Sequence, residues 1–226
     1  MPVLIGDDPS TWLAATATVD HAHPLVQAFV DAHDRPAASA RERAVALYYA
    51  VRDRVRYDPY AIDLSTRGLS ASHALATGRG WCVTKAALLA ACCRAIGVPA
   101  RLGYADVRNH LSTARLRELM RTDEFRWHGY TALELDGRWV KATPAFNVEL
   151  CEKFGLHPLE FDGREDSLYH PYDRAGRQHM EYLRYRGEFA DVPVAAIRAD
   201  FASFYGHMLD SLGGGDFHAE AARERA

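Results

Sequence analysis

Apolar side chains recur at helical spacing along several stretches of the 226-residue chain. Ser39 and Glu42 form a capping box, after which Ala44, Leu47, Tyr48, Val51 and Val55 fall on one face. This predicts an amphipathic helix of about four turns. It ends near Tyr57, because Asp58 precedes Pro59 and a residue before proline disfavours the helical conformation. A shorter helix is expected over Pro24 to Ala32, with a turn at His33-Asp34-Arg35-Pro36. From Cys82 to Ile96 the pattern changes: small or apolar groups such as Val83, Ala87, Leu88, Ala91, Cys92 and Cys93 cover every face, until Gly97 and Pro99 stop the helix. A helix apolar all round belongs in the middle of a domain.

Strand signals follow. Pro99 to Tyr104 reads as a strand, Ser112 to Arg121 as a short helix. Trp127 to Leu135 and Arg138 to Thr143 flank Asp136-Gly137, a preferred two-residue turn, and so form a hairpin. Counting across the turn sets Leu135 against Arg138, Leu133 against Val140 and Tyr130 against Thr143. Asp191 and Pro193 open a last helix through Leu209, and the pattern assigns the stretch between Phe146 and Ala190 only poorly. Within that stretch, Arg177, Arg184 and Arg186 lie near Tyr182 and Tyr185 but are interrupted by Glu181 and Glu188, which reads as a solvated helix face rather than a nucleic-acid surface. No internal repeat is present, so residues 1–212 are expected to form one domain and 213–226, opening on Gly213-Gly214-Gly215, a flexible tail. Helices on either side of a compact antiparallel sheet, with a buried central helix, indicate an α+β fold.

Composition narrows the function classes. The 27 Lys and Arg balance 30 Asp and Glu for a formal net charge of −3, leaving no overall field to recruit nucleic acid or an anionic membrane. Hydrophobic residues at 48% exclude a disordered chain. No run approaches the roughly 20 apolar residues of a membrane span. Met1 to Asp8 lacks the basic and apolar regions of a secretory signal, so the cytoplasm is the expected compartment. The cysteines stand at 82, 92, 93 and 151, and neighbours such as Cys92 and Cys93 cannot reach normal bridge geometry, so reduced thiols are expected. Neither Cys-x-x-Cys nor His-Glu-x-x-His occurs, and Gly78-Arg79-Gly80 lacks the lysine of a phosphate loop. No cofactor and no metal is therefore expected; His21 and His23, the closest histidine pair, read as structural.

Cys82 is the residue with chemistry. It begins its helix, where unsatisfied backbone N–H groups and the helix dipole favour a thiolate. Cys92 and Cys93 lie in the apolar body of the same helix and behave as small hydrophobes. His128 opens the hairpin, and strand alternation puts it on one face with Tyr130, Ala132, Lys141 and Thr143, with Trp127 on the other. Thr143 is then a diagonal neighbour able to orient the imidazole.

Gly80-Trp81-Cys82, Gly97-Val98-Pro99-Ala100-Arg101, Trp127-His128-Gly129-Tyr130, and Gly137-Arg138-Trp139-Val140 with Thr143-Pro144 together resemble the transglutaminase-like core of cysteine hydrolases, of the bacterial single-domain type. Val51 to Tyr57 is similar to the helix that precedes the family's cysteine, and the likeness runs from about residue 41 to 147. The resemblance implies a papain-like α+β fold in which Cys82 is the nucleophile and His128 its partner. The family's usual aspartate, just before the proline that ends the second hairpin strand, is matched here by Thr143, which can accept a hydrogen bond but carries no charge. Asn147, Asp162 and Asp166 stand as alternatives for that role.

The expected function is a cysteine hydrolase or acyl transferase acting on an amide or peptide-type bond through a thioester, with a peptide, protein or small amide as substrate. Trp81 is a candidate wall of the substrate site, or a core aromatic packing the helix entry. An alternative is a catalytically impaired fold serving as a protein-binding module. A third reading, a metal site from His157, His170 and His179 with Asp166 or Asp173, follows no ligand spacing.

Overall fold

The computed structural model describes residues 8–110, 112–169, 172–176, 180–209, 211 and 215–224. Helix α1 (Pro24–His33) starts at His23, whose ring accepts the Leu25 N–H, so this histidine is a cap. Helix α2 (Ala40–Arg54) carries the expected capping box: Ser39 Oγ accepts the Glu42 N–H and the Glu42 carboxylate accepts the Ser39 N–H at 2.9 Å. Ser39→Ala is expected to lower stability by about 1 kcal/mol, read from the urea midpoint at unchanged slope.

A short parallel pair, β1 (Arg56–Tyr57) with β2 (Arg79–Gly80), encloses α3 (Ala71–Thr77) and delivers the chain into α4 (Cys82–Ala95). Next come β3 (Ala100–Asn109), α5 (Ala114–Met120), β4 (Glu124–Leu135), β5 (Arg138–Ala142), α6 (Val148–Phe154), β6 (Met180–Phe189), α7 (Val194–Phe204), α8 (Gly206–Leu209) and α9 (Phe217–Arg223). The main sheet has the order β5-β4-β3-β6 with antiparallel neighbours, so the fold is α+β. Asp136 and Gly137 both take positive φ, 53° and 80°, as the expected turn requires, and Leu135 faces Arg138 and Leu133 faces Val140.

Helix α4 fills the centre, against β4 on one side and α1, α2 and α3 on the other. Thr131 Oγ1 donates to the Ala86 carbonyl at 2.9 Å and ties the helix to the sheet. The helix is not wholly apolar: Lys85 and Arg94 are buried within it. Both are satisfied by main-chain carbonyls, Lys85 by Arg52 and Val55, Arg94 by Ala14, Ala100 and Ala190. Periodicity could not show this, because each carbonyl belongs to a distant segment.

Three expectations change. Residues 180–186, read as a helix face, belong to strand β6, since β3 needs a second ladder partner and Tyr182 and Tyr185 suit a pleated edge; Arg177 lies outside the described residues. The helix expected to run to Leu209 breaks at Tyr205, just before Gly206. The segment expected as a flexible tail contains α9: Phe217 packs on Tyr57, Tyr60 and Phe154, and His218 Nε2 meets the Tyr57 carbonyl at 3.0 Å. Gly213 and Gly214 lie outside the described residues. Among the described residues no helix is long and apolar enough to cross a membrane.

Candidate active site

Cys82 is the first residue of α4, and Trp81, in extended conformation, is the residue before the helix. Thr84 Oγ1 accepts the Trp81 N–H at 3.0 Å and holds that bend. Gly129 of β4 lies directly against it: a Cβ there would sit 3.1 Å from the Cys82 carbonyl oxygen and the Val83 Cα, so glycine permits the close approach of strand and helix start. The Cys82 thiol is pushed up to about 11, because burial outweighs the stabilising backbone N–H groups of Gly129, Val83 and Cys82 itself. The helix start alone suggested a lowered value. Desolvation acts in the opposite direction and disfavours the thiolate.

His128 is placed by a bulge. Ala105 faces His128 and Val107 faces Phe125, so Asp106 alone opposes both Arg126 and Trp127. Trp127 takes φ of 60°, a left-handed conformation unusual for a tryptophan. Asp106 Oδ1 holds it by accepting the Trp127 N–H at 3.1 Å. The same carboxylate pairs with Arg186 of β6, which bonds Asp200 of α7 at 2.9 Å and covers the Trp127 ring with its guanidinium 4.6 Å from the centroid. Asp200 in turn accepts the Trp127 indole N–H at 2.9 Å. Strand alternation put Trp127 opposite His128; the bulge interrupts that alternation, and Trp127 lies in the core.

Cys82 and His128 line one cavity of about 40 Å³, with Trp81 also on its wall. A second cavity, of about 30 Å³, is bordered by His128 and Thr143 together with Cys151, His157 and Tyr169. His128 thus stands between the two. Among the described residues the buried Thr143 Oγ1 finds no hydrogen-bond partner, while the Thr143 carbonyl accepts the Tyr48 hydroxyl. The alternatives are engaged elsewhere. Asn147 Oδ1 accepts the Tyr57 N–H, Asp166 the Lys141 N–H, and Asp162 the N–H groups of Arg164 and Glu165. Of the residues considered for a metal, His170 and His179 lie outside the described residues. Asp173 caps the Ala175 N–H, and among the described residues no group of three or more His, Cys, Asp or Glu is arranged to hold an ion.

The sequence profile of the transglutaminase-like superfamily matches residues 27–144, just over half of the chain. The chain belongs to the transglutaminase-like superfamily. A crystal structure from Cytophaga hutchinsonii, named provisionally as a cysteine protease, aligns with 83% of this chain at 18% identity and a TM-score of 0.47. This chain spans 56% of the length of that protein. No curated protein matches the chain.

The transglutaminase-like match ends before α6, so the part of the Cys82 cavity wall formed by Phe201, Tyr205 and Met208 lies beyond it. Inside the transglutaminase-like segment, Lys85 stands one turn after Cys82 and donates to the Arg52 and Val55 carbonyls, at 2.9 and 2.6 Å, which the end of α2 leaves unpaired. No sequence signal pointed to this lysine. Burial pulls its ammonium down to about 7. A lowered lysine value penalises the folded state where the group must be charged, a cost absent above its ordinary value of 10.5 and complete below about 7. Unfolding free energy is therefore expected to rise by about 2 kcal/mol between about pH 7 and about pH 8.5, and Lys85→Met to flatten the rise, measured by urea unfolding across that range.

Proposed function

We propose that this protein is a cysteine-dependent hydrolase or acyl transferase that opens an amide or peptide-type bond through a thioester on Cys82. The observation that carries the reading is that Cys82, at a helix start, and His128, set on a bulged strand, line the same cavity in a chain of the transglutaminase-like superfamily. His128 takes the thiol proton as Sγ bonds to the carbonyl carbon, then gives it to the departing amine as the C–N bond breaks. The Cys82 backbone N–H, at the start of its helix, is the donor for the developing oxyanion in this reading. Water, or an acceptor amine, then resolves the thioester. Because burial disfavours the thiolate, proton removal belongs in this reading to the attack itself rather than to a preformed ion pair.

Mass spectrometry of the full chain mixed with activated acyl amides tests this. An acyl adduct on Cys82, absent in Cys82→Ala, supports the reading; turnover that survives in Cys82→Ala sinks it. Alkylation of the resting thiol as a function of pH is a poorer test, since a high thiol value belongs to the folded enzyme before substrate arrives.

A second reading, a catalytically impaired binding module, draws on the uncharged Thr143, whose hydroxyl finds no partner among the described residues. Thr143→Asp separates the two. If His128 acts as base, a carboxylate beside it stabilises the imidazolium, and acylation is expected to speed up about tenfold or more. In a binding module the substitution leaves acylation undetectable.

A further inference from the structure

We infer that helix α9 is a releasable clamp on the Cys82 cavity, and that protonation of His218 lets it go. The inference concerns access to the Cys82 sulfur and goes beyond the acyl-enzyme reading.

Two of the segments that line the cavity are held by α9. Tyr57, Pro59 and Ile62, on β1 and the turn after it, form one part of the wall, and Leu116 and Met120 of α5 form another. The start of α9 engages the first segment. Asp216 pairs with Arg56, the Phe217 ring lies 6.0 and 5.9 Å from those of Tyr57 and Tyr60, and His218 Nε2 donates to the Tyr57 carbonyl at 3.0 Å. The end of α9 engages the second, where the Glu224 carboxylate accepts the Ala114 N–H at 2.7 Å. Glu220 joins the two: one carboxylate oxygen accepts the Tyr60 hydroxyl at 2.6 Å and the Thr113 hydroxyl at 3.1 Å. Cys82 is 6% exposed, so a reagent reaches its sulfur only when the wall parts.

The clamp is held by little apolar surface. A helix of seven residues is too short to persist undocked, and Phe217 and Ala221 are its buried apolar side chains. Such an element opens at a fraction of the cost of global unfolding.

His218 makes the hold depend on pH. The residue is 2% exposed, and its buried Nδ1 has no hydrogen-bond partner among the described residues. The Glu149 carboxylate stands 4.0 Å away, past hydrogen-bond reach. A proton on Nδ1 thus lacks an acceptor while α9 is docked and finds one in water. Burial holds the ring below its ordinary value of 6.5, reinforced by Arg56 of β1 and Lys153 of α6 and opposed by the Tyr57 carbonyl and Glu149. Asp216 on the same helix and Glu149 are themselves held below the usual carboxylate range, by the Ala219 N–H and by Lys153, and stay charged near neutrality. Burial likewise keeps the Tyr57 phenol neutral. A histidine value lowered by docking leaves the docked state at full strength above about pH 6.5 and weakens it as pH falls below that.

The full chain is treated with dipyridyl disulfide, which reacts with thiols in mild acid, and labelling of Cys82 is timed by mass spectrometry. Phe217→Ala and Glu220→Ala are each expected to label about tenfold faster or more at about pH 7.5. Hydrogen exchange should show residues 217–223 unprotected in Phe217→Ala while α4 and β3 keep their protection. Loss of protection in α4 and β3 would mark a misfolded variant, and Glu220→Ala then decides. His218→Gln keeps a donor for the Tyr57 carbonyl and cannot take a proton. The ratio of the labelling rate of the unaltered chain to that of His218→Gln is expected to rise about threefold or more between about pH 7.5 and about pH 5.5, the ionisation of Cys82 and His128 cancelling in the ratio. Folded variants that label no faster, or a ratio that stays level with pH, overturn the inference. Neither result touches the acyl-enzyme reading, which is decided by the adduct on Cys82.

Discussion

Asp106→Ala is expected to destabilise the protein by about 3 kcal/mol and to slow acylation as well. Asp106 and Arg186 are both at least nine-tenths buried in their side chains, and removing one member of such a pair leaves the other charge without full compensation. Arg186 keeps Asp200, which places the cost at the lower end of what a broken buried pair brings. The loss of activity has a separate cause. Without Asp106, the Trp127 N–H has no acceptor, the left-handed conformation at Trp127 loses its anchor, and the adjoining His128 shifts relative to Cys82. Asp106→Asn distinguishes the two effects, since an amide oxygen still accepts the Trp127 N–H while the charge is gone. Urea unfolding should then show much of the stability loss, and acylation of Cys82 should remain close to that of the unaltered chain. Equal damage to acylation in both variants would mean that the carboxylate does not act through the bulge.

His128→Ala is expected to cost roughly 10²–10⁴-fold in acylation rate at neutral pH, the usual worth of a positioned acid–base group. The pH profile carries more information than the magnitude. With the base gone, only the thiolate can attack, and the Cys82 thiol is pushed up to about 11 by burial. The thiolate fraction therefore grows about tenfold per pH unit below that value. The variant's rate should climb with that slope through the alkaline range, while the unaltered chain should level off at a lower pH. A variant whose rate stays flat with pH would show that His128 is not the group that removes the proton.

Much of the fold follows from local pattern. The Ser39 and Glu42 box, the Asp136-Gly137 turn with its register, and the central placement of the Cys82 helix each depend on contacts within a few residues or on hydrophobic period, which order along the chain records. Strand β6 escaped because its pairing partner, β3, is about 80 residues away and because bulges blur its alternation. Helix α9 escaped because neighbouring glycines suggest freedom, whereas Phe217 finds an aromatic slot formed by Tyr57, Tyr60 and Phe154.

The candidate site divides along the same line. Order along the chain, together with the family resemblance, was enough to name as candidates Cys82 at a helix start, His128 on a hairpin strand and Thr143 diagonal to it. What surrounds them was decided by tertiary structure alone. The desolvation of the thiol, the bulge that Asp106, Arg186 and Asp200 hold, the buried hydroxyl of Thr143 and the apolar wall from α7 and α8 all depend on burial and on groups from distant segments. Desolvation and long-range pairing act through space, and a pattern read residue by residue carries no record of them.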